Sequence, residues 1–159
     1  MPAQKLKRFL DENGIRYVAI QHSPAFTAQE VAASAHIPGR ELAKTVMVKL
    51  DGTMAMVVLP ATKKIDLDQL EQVTGVRTAG LASEREFQAM FPDCEPGAMP
   101  PFGNLYDVRV FVDELLALDE QIAFNAGTHA ELIQMAFDDF RRLVNPTVAP
   151  LAWRVKAHV

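Results

Sequence analysis

Asp51-Gly52 separates two segments rich in valine and methionine, Thr45 to Leu50 and Thr53 to Leu59. Such a dipeptide between β-formers predicts a tight hairpin, because the favoured turn needs positive φ at both central positions, which glycine adopts freely and aspartate tolerates. A chain committed to this hairpin is a poor candidate for a purely parallel sheet, whose strands need long crossovers. The rest of the sequence supplies helices as well as strands. The expected fold class is therefore α/β (α+β), with a mixed, largely antiparallel sheet surrounded by helices.

The flanking elements follow from periodicity and caps. Leu6, Phe9 and Leu10 lie at helical spacing between Gln4 and Asn13, with Gly14 placed to close the helix. Ile15 to Gln21 reads as a strand. Thr27 with Glu30 forms a capping box that predicts a short helix over Ala28 to Ala35, and Glu41 to Ala43 adds a helical turn. That turn leaves Lys44 at the mouth of the hairpin strand. Asp66 caps a helix running to Val73, Val76 to Ala79 is a brief strand, and Ser83 with Glu86 caps a helix running to Met90. Pro92 to Gly103 holds four of the ten prolines, at 92, 96, 100 and 101, and is too stiff for a helix or a central strand. It is expected to be a shaped loop. Val108 to Val112, Gln121 to Asn125 and Leu132 to Ala136 are further strands, with a turn or short helix at Asp113 to Leu118. A helix over Asp138 to Val144 follows, and Asn145-Pro146 is expected to end the regular structure. No repeat or linker divides the chain, so residues 1–159 are expected to form one domain.

Charge and cysteine content narrow the function classes. With 16 basic and 20 acidic side chains the net charge is −4, a poor match for a protein gripping a long nucleic-acid backbone. Arg40, Lys44, Lys49, Lys63 and Lys64 nonetheless fall within 25 residues and could hold a few phosphates. The single cysteine, Cys94, forms no internal disulfide, and it lies between Asp93 and Glu95, whose charges raise rather than lower a thiol pKa. The first residues alternate apolar and charged, unlike a signal peptide, and no apolar run approaches a membrane span. A cytoplasmic protein is expected. His22, His36, His129 and His158 show no metal-ligand spacing, and there is no G-x-S-x-G, Walker loop or G-x-G-x-x-G. No metal and no cofactor are expected.

Three short pieces remain: Lys44 within Ala43-Lys44-Thr45-Val46-Met47-Val48-Lys49, the loop Gly97-Ala98-Met99-Pro100-Pro101, and Gly127-Thr128-His129. Singly, each has an ordinary reading. Lys44 reads as a surface lysine at a strand start, Gly97 and Pro101 as turn residues, and His129 as a structural residue at a strand end or a proton-transfer group. Gly127 and Thr128 read as a turn or as a close approach of backbone to ligand.

In this order and spacing, the three pieces resemble the YbaK/prolyl-tRNA synthetase editing-domain family of aminoacyl-tRNA deacylases. Pro24-Ala25-Phe26-Thr27, the strand exit Val57-Val58-Leu59-Pro60-Ala61 and the stretch Asp138-Asp139-Phe140-Arg141-Arg142-Leu143 extend the resemblance over most of the chain. It implies a trans-acting, freestanding enzyme that hydrolyses the ester of a mischarged tRNA carrying a small amino acid. The ester is already activated, so positioned water, backbone donors and a substrate hydroxyl supply much of the catalysis. The implied catalytic set is Lys44, which helps hold the terminal adenosine phosphate, with Gly97 and Pro101 of the G-x-x-x-P loop, Gly127 and His129. Implied substrate contacts are Phe26, Thr27, Thr45, Met47, Ala98, Met99 and Thr128, with Phe26, Met47 and Met99 candidates for setting pocket size.

The implied partner is the acceptor end of mischarged tRNA, with an aminoacyl-tRNA synthetase as a further candidate and neither DNA nor membrane expected. Two other readings stand beside this one. A hydrolase of another small ester or thioester would use the same loop without tRNA, and a non-catalytic module would bind tRNA or a synthetase.

Overall fold

The computed structural model describes residues 4–21 and 41–153. The expected helix over Ala28 to Ala35 lies outside them, as do Phe26 and Thr27. Helix α1 (Gln4–Glu12) buries Leu6 and Leu10, and the chain leaves it through Gly14 at φ 66°, where the Ile15 N–H donates to the Leu10 carbonyl at 3.0 Å. β1 (Tyr17–Gln21) follows. β2 (Leu42–Leu50) and β3 (Thr53–Pro60) form the expected hairpin, with Asp51 at φ 48° and Gly52 at φ 87°. Both turn residues are left-handed, as the two-residue loop requires.

The expected helical turn at Glu41 to Ala43 is not formed. Leu42 and Ala43 instead begin β2, pairing with Ala123 and Phe124 on one side, while Ala43 faces Pro60 on the other. Ladder bonds on both sides outweigh the local preference for a turn, and Lys44 becomes the third residue of a nine-residue strand rather than its mouth.

Helix α2 (Leu67–Thr74) starts where Asp66 accepts from the Gln69 N–H at 3.1 Å and ends at left-handed Gly75. The next strand, β4 (Ala79–Leu81), begins three residues later than expected. The Asp51 carboxylate accepts from the Arg77 and Thr78 amides, and the Asp51 N–H donates to the Thr78 carbonyl. Residues 77 and 78 are thus committed to the hairpin tip, and pairing with Val48 to Leu50 starts only at Ala79. Helix α3 (Glu84–Gln88) carries the full Ser83–Glu86 capping box. After the proline-rich loop come β5 (Arg109–Asp113), a 3₁₀ turn at Leu116–Leu118, β6 (Gln121–Asn125), β7 (Glu131–Ala136) and helix α4 (Phe137–Val144).

Regular structure continues past Asn145-Pro146, contrary to expectation. Asn145 closes α4 in a left-handed conformation, and β8 (Thr147–Ala149) then pairs parallel with β5. Buried Asp113 explains why. It accepts from the Leu115, Leu151 and Ala152 amides at 3.1, 2.8 and 2.9 Å, pinning the returning chain.

The eight strands form one sheet in the order β1-β7-β6-β2-β3-β5-β8, with β4 off this path and paired with Val48 to Leu50 of β2. Pairings β1–β7, β2–β3, β2–β4 and β6–β7 are antiparallel; β2–β6, β3–β5 and β5–β8 are parallel. Alternation along β2 and β3 divides the core. Met47, Met56 and Val58 face α1, α4 and the proline-rich loop, where Phe102 lies with its ring 5.4 Å from Phe140 and 5.5 Å from Phe124. Val48, Val57 and Leu59 face Leu70 of α2 and Leu151. The proline-rich loop rejoins the sheet at Gly103, where a Cβ would lie 2.4 Å from the Val108 carbonyl oxygen, so only glycine fits. Among the described residues, no helix is long and apolar enough to cross a membrane.

Candidate functional site

The G-x-x-x-P loop and the Gly127-Thr128-His129 corner are joined by backbone. The Glu95 N–H donates to the Gly127 carbonyl at 2.8 Å, the Gly127 N–H donates to the Ala98 carbonyl at 2.9 Å, and the Ala98 N–H closes a turn onto the Glu95 carbonyl at 3.0 Å. Gly97, at the tip of this turn, is exposed and has φ 82°, while Gly127 has φ 97°. Both conformations are ones that side-chain-bearing residues rarely adopt. Behind the tip, Ala98, Met99, Pro100 and Pro101 are buried, so the loop is anchored on the apolar core.

His129 completes the joint. Its N–H donates to Glu95 Oε1 at 2.8 Å, and its ring Nε2 lies 2.9 Å from the Pro96 carbonyl oxygen. A carbonyl only accepts, so this ring nitrogen carries the hydrogen. A Cβ built on Gly97 would stand 3.7 Å from the His129 ring, an ordinary contact, so the need for glycine at 97 is one of backbone conformation rather than space. The Thr128 hydroxyl accepts from the Ala130 N–H and shapes the same corner.

Lys44 is linked to this region through strand pairing. β2 and β6 run parallel, with Leu42 opposite Ala123 and Ala43 opposite Phe124, so the strand that continues into Lys44 starts alongside the one that leads through Asn125 to Gly127. Asn125 Oδ1 is buried and has no hydrogen-bond partner among the described residues. Lys44 is half-buried, and burial, followed by the charge of Lys64, lowers its pKa. Alternation puts Lys44 on the face of Val46 and Val48, whereas Thr45 and Met47 take the opposite one; Met47 and Met99 are buried in the same cluster.

The basic patch is smaller than its sequence suggests. Lys49 is ion-paired with Glu86, and this pairing, together with the Ser83 hydrogen bonds, holds the Glu86 carboxyl down at about 2. Lys44, Lys63 and Lys64 remain at the other end of the hairpin, and Arg40 lies outside the described residues. Cys94 is partly buried, and burial pushes its thiol pKa up, as expected for an inert side chain. Among the described residues, no three His, Cys, Asp or Glu side chains cluster to hold a metal.

The partnerships of Glu95, the Pro96 carbonyl and Asp113 were not legible in the sequence. Each depends on atoms more than 30 residues away, and only proximity in the fold reveals them.

Comparison with known proteins gives a consistent picture. A family described as the aminoacyl-tRNA editing domain matches residues 22–143. The prolyl-tRNA editing protein ProX of Acetoanaerobium sticklandii is 27% identical over 141 residues, covering 85% of each chain. The proline--tRNA ligase of Bacillus cytotoxicus is 28% identical over 89 residues, which are 56% of this chain but only 16% of the ligase. Among solved structures, hypothetical protein APE2540 superposes with a TM-score of 0.84 at 20% identity, covering 94% of this chain and all of its own. A protein proposed as a trans-editing enzyme for prolyl-tRNA synthetase does so at 0.83 and 18%, covering 96% and 98%. These likenesses carry the fold, a mixed and largely antiparallel sheet flanked by helices.

Proposed function

The chain belongs to the aminoacyl-tRNA editing domain family, and from that premise we propose that residues 1–159 form one editing domain removing a small amino acid from the acceptor end of mischarged tRNA. It is an aminoacyl-tRNA deacylase. Water adds to the ester carbonyl, the bond to the terminal ribose oxygen breaks, and that oxygen takes up a proton. The products are the free amino acid and tRNA with its terminal hydroxyl restored. A cytoplasmic location follows from that substrate.

The observation that carries the site assignment is the backbone joint between the Gly97 turn and the Gly127–His129 corner. The donors this reading assigns to the developing oxyanion are backbone N–H groups around Gly97 other than that of Ala98, which is committed to the Glu95 carbonyl. Rigid donors are worth most here, because they need no reorganisation as charge develops. Lys44 holds a phosphate of the terminal adenosine as a point charge. Met47 and Met99 contribute to the floor of the amino-acid pocket, and Phe26, Thr27, Thr45 and Thr128 remain its candidate polar and aromatic contacts. An aminoacyl-tRNA synthetase that hands over mischarged tRNA is the candidate protein partner.

His129 acts in this reading through Pro96, as a positioning residue. His129→Ala is expected to lower the single-turnover rate by roughly 10- to 100-fold, the scale of a misplaced catalytic group. His129→Gln, whose amide can still donate to the Pro96 carbonyl, recovers much of it. Equal losses in both variants would show that the ring does something other than hold the loop.

The test of function is deacylation of tRNAs charged with alanine, serine, threonine, cysteine or proline, under single-turnover conditions. Selective loss of one of them supports the reading and names the substrate. Hydrolysis of short aminoacyl esters without hydrolysis of any charged tRNA would replace it with a small-ester hydrolase.

A further inference from the structure

Trp153 is the only tryptophan of the chain, and it is 54% exposed. An indole left in water invites a partner with a flat face. Its neighbours identify the partner. Residues 64–66 and 151–153 run antiparallel, joined by the Ile65–Ala152 bridge, by the Trp153 N–H donating to the Lys64 carbonyl at 2.6 Å and by the Asp66 N–H donating to the Leu151 carbonyl at 2.8 Å. Ile65 and Leu151 pack inward on the cluster beneath α2, whereas Lys64 and Trp153, opposite each other, are exposed. Directly opposed residues on one face have Cβ atoms about 4.5–5.5 Å apart.

This small ribbon adjoins the phosphate-binding end of the candidate site. The Ala61 N–H donates to the Leu42 carbonyl at 2.7 Å and the Lys63 N–H to the Pro60 carbonyl at 2.9 Å, so the turn bearing Lys63 and Lys64 folds back over the start of β2, two residues before Lys44. The effect of Lys64 on the titration of Lys44 agrees with that closeness. Lys63, Lys64 and Trp153 therefore lie on short segments bonded to one another and to the start of the strand that carries Lys44. Positive side chains that follow a backbone, with an aromatic face for a base, are the two elements by which proteins hold single-stranded nucleic acid.

We propose that Trp153 and Lys64 form a docking surface for the single-stranded 3′ end of tRNA, with Trp153 stacking on a base next to the terminal adenosine and Lys64 meeting its phosphate. The inference rests on the deacylase reading for the direction in which the strand leaves Lys44. Because stacking tolerates any base, the surface contributes affinity without reading sequence. It lets a chain of net charge −4 hold an acceptor end through few phosphate contacts.

The single tryptophan makes the test direct. An uncharged RNA minihelix ending in a single-stranded CCA is titrated into the full chain while tryptophan fluorescence is followed, beside a blunt-ended minihelix of the same stem. Saturable quenching by the first and not by the second is expected. In single-turnover deacylation, Trp153→Ala should raise the half-saturating tRNA concentration roughly 5- to 100-fold, the range for one lost stack, with Trp153→Phe in between. Lys64→Gln should flatten the salt dependence of binding by about one phosphate contact. Bound minihelix with unchanged fluorescence, or half-saturation unaffected by Trp153→Ala, overturns the proposal even if deacylation is intact. Quenching without deacylation of any charged tRNA would instead leave the surface standing and remove the enzymatic reading.

Discussion

Lys44→Ala is expected to lower single-turnover deacylation by about 100-fold or more, on the scale of a lost charge-assisted phosphate contact in a partly dehydrated site. Lys44 is half-buried, and burial together with Lys64 lowers its pKa, so the folded protein disfavours its charge relative to the unfolded chain. The charged side chain therefore costs stability in full below its folded pKa, and the cost shrinks as pH rises from that value to the higher pKa of the unfolded chain. Removing it should therefore leave stability unchanged or slightly raised, which separates lost function from lost fold. Lys44→Arg should rescue poorly, since a planar fork does not replace a compact ammonium in a half-buried position. The Lys44-dependent part of the rate should fade on the alkaline side at a lower pH than an ordinary lysine allows, and Lys64→Met should move that limb upward. Wild-type turnover by Lys44→Ala on the tRNA that the native enzyme deacylates would remove this residue from the site.

Asp113→Ala is expected to destabilise the fold by about 3–5 kcal/mol, because it strips the acceptor from three backbone N–H groups at once, two of them fully enclosed. For a chain of this size that corresponds to a fall in Tm of roughly 10 °C or more. Chemical denaturation of wild type, Asp113→Ala and Asp113→Asn checks it. The amide oxygen of asparagine can keep the Leu151 and Ala152 bonds but sets an NH₂ group against the Leu115 N–H, so Asn should fall between the other two. An Asp113→Ala midpoint close to wild type would mean that water or a shifted chain satisfies these donors. The variant has a functional consequence too, since the segment that Asp113 pins leads directly to Trp153.

Much of the architecture was legible in local sequence. The Asp51-Gly52 turn, the Asp66 cap and the Ser83–Glu86 capping box are each specified by a few adjacent residues, and the structure forms all three. Strand limits were less legible, because they depend on ladder partners from elsewhere. Leu42 and Ala43 turned from helix to strand when β6 came alongside, and β4 slid by three residues because the Asp51 side chain captured the Arg77 and Thr78 amides. β8 has no local signal: nothing near Thr147 announces a strand whose support is a carboxylate 38 residues away from Leu151.

For the site, the sequence by itself determined which residue types were available and in what order: a lysine in a β-forming run, a glycine-proline loop and a Gly-Thr-His corner. Local rules reach that far because turn chemistry and strand propensity act over a few residues. Only the tertiary structure decided that the loop and the corner form one hydrogen-bonded unit, with the His129 ring nitrogen bound to Pro96, and that the strand carrying Lys44 pairs in parallel with the one leading into that corner. Hydrogen bonds and desolvation depend on distance in space, and a chain that closes loops of more than 30 residues sets those distances through its packing rather than through neighbouring letters.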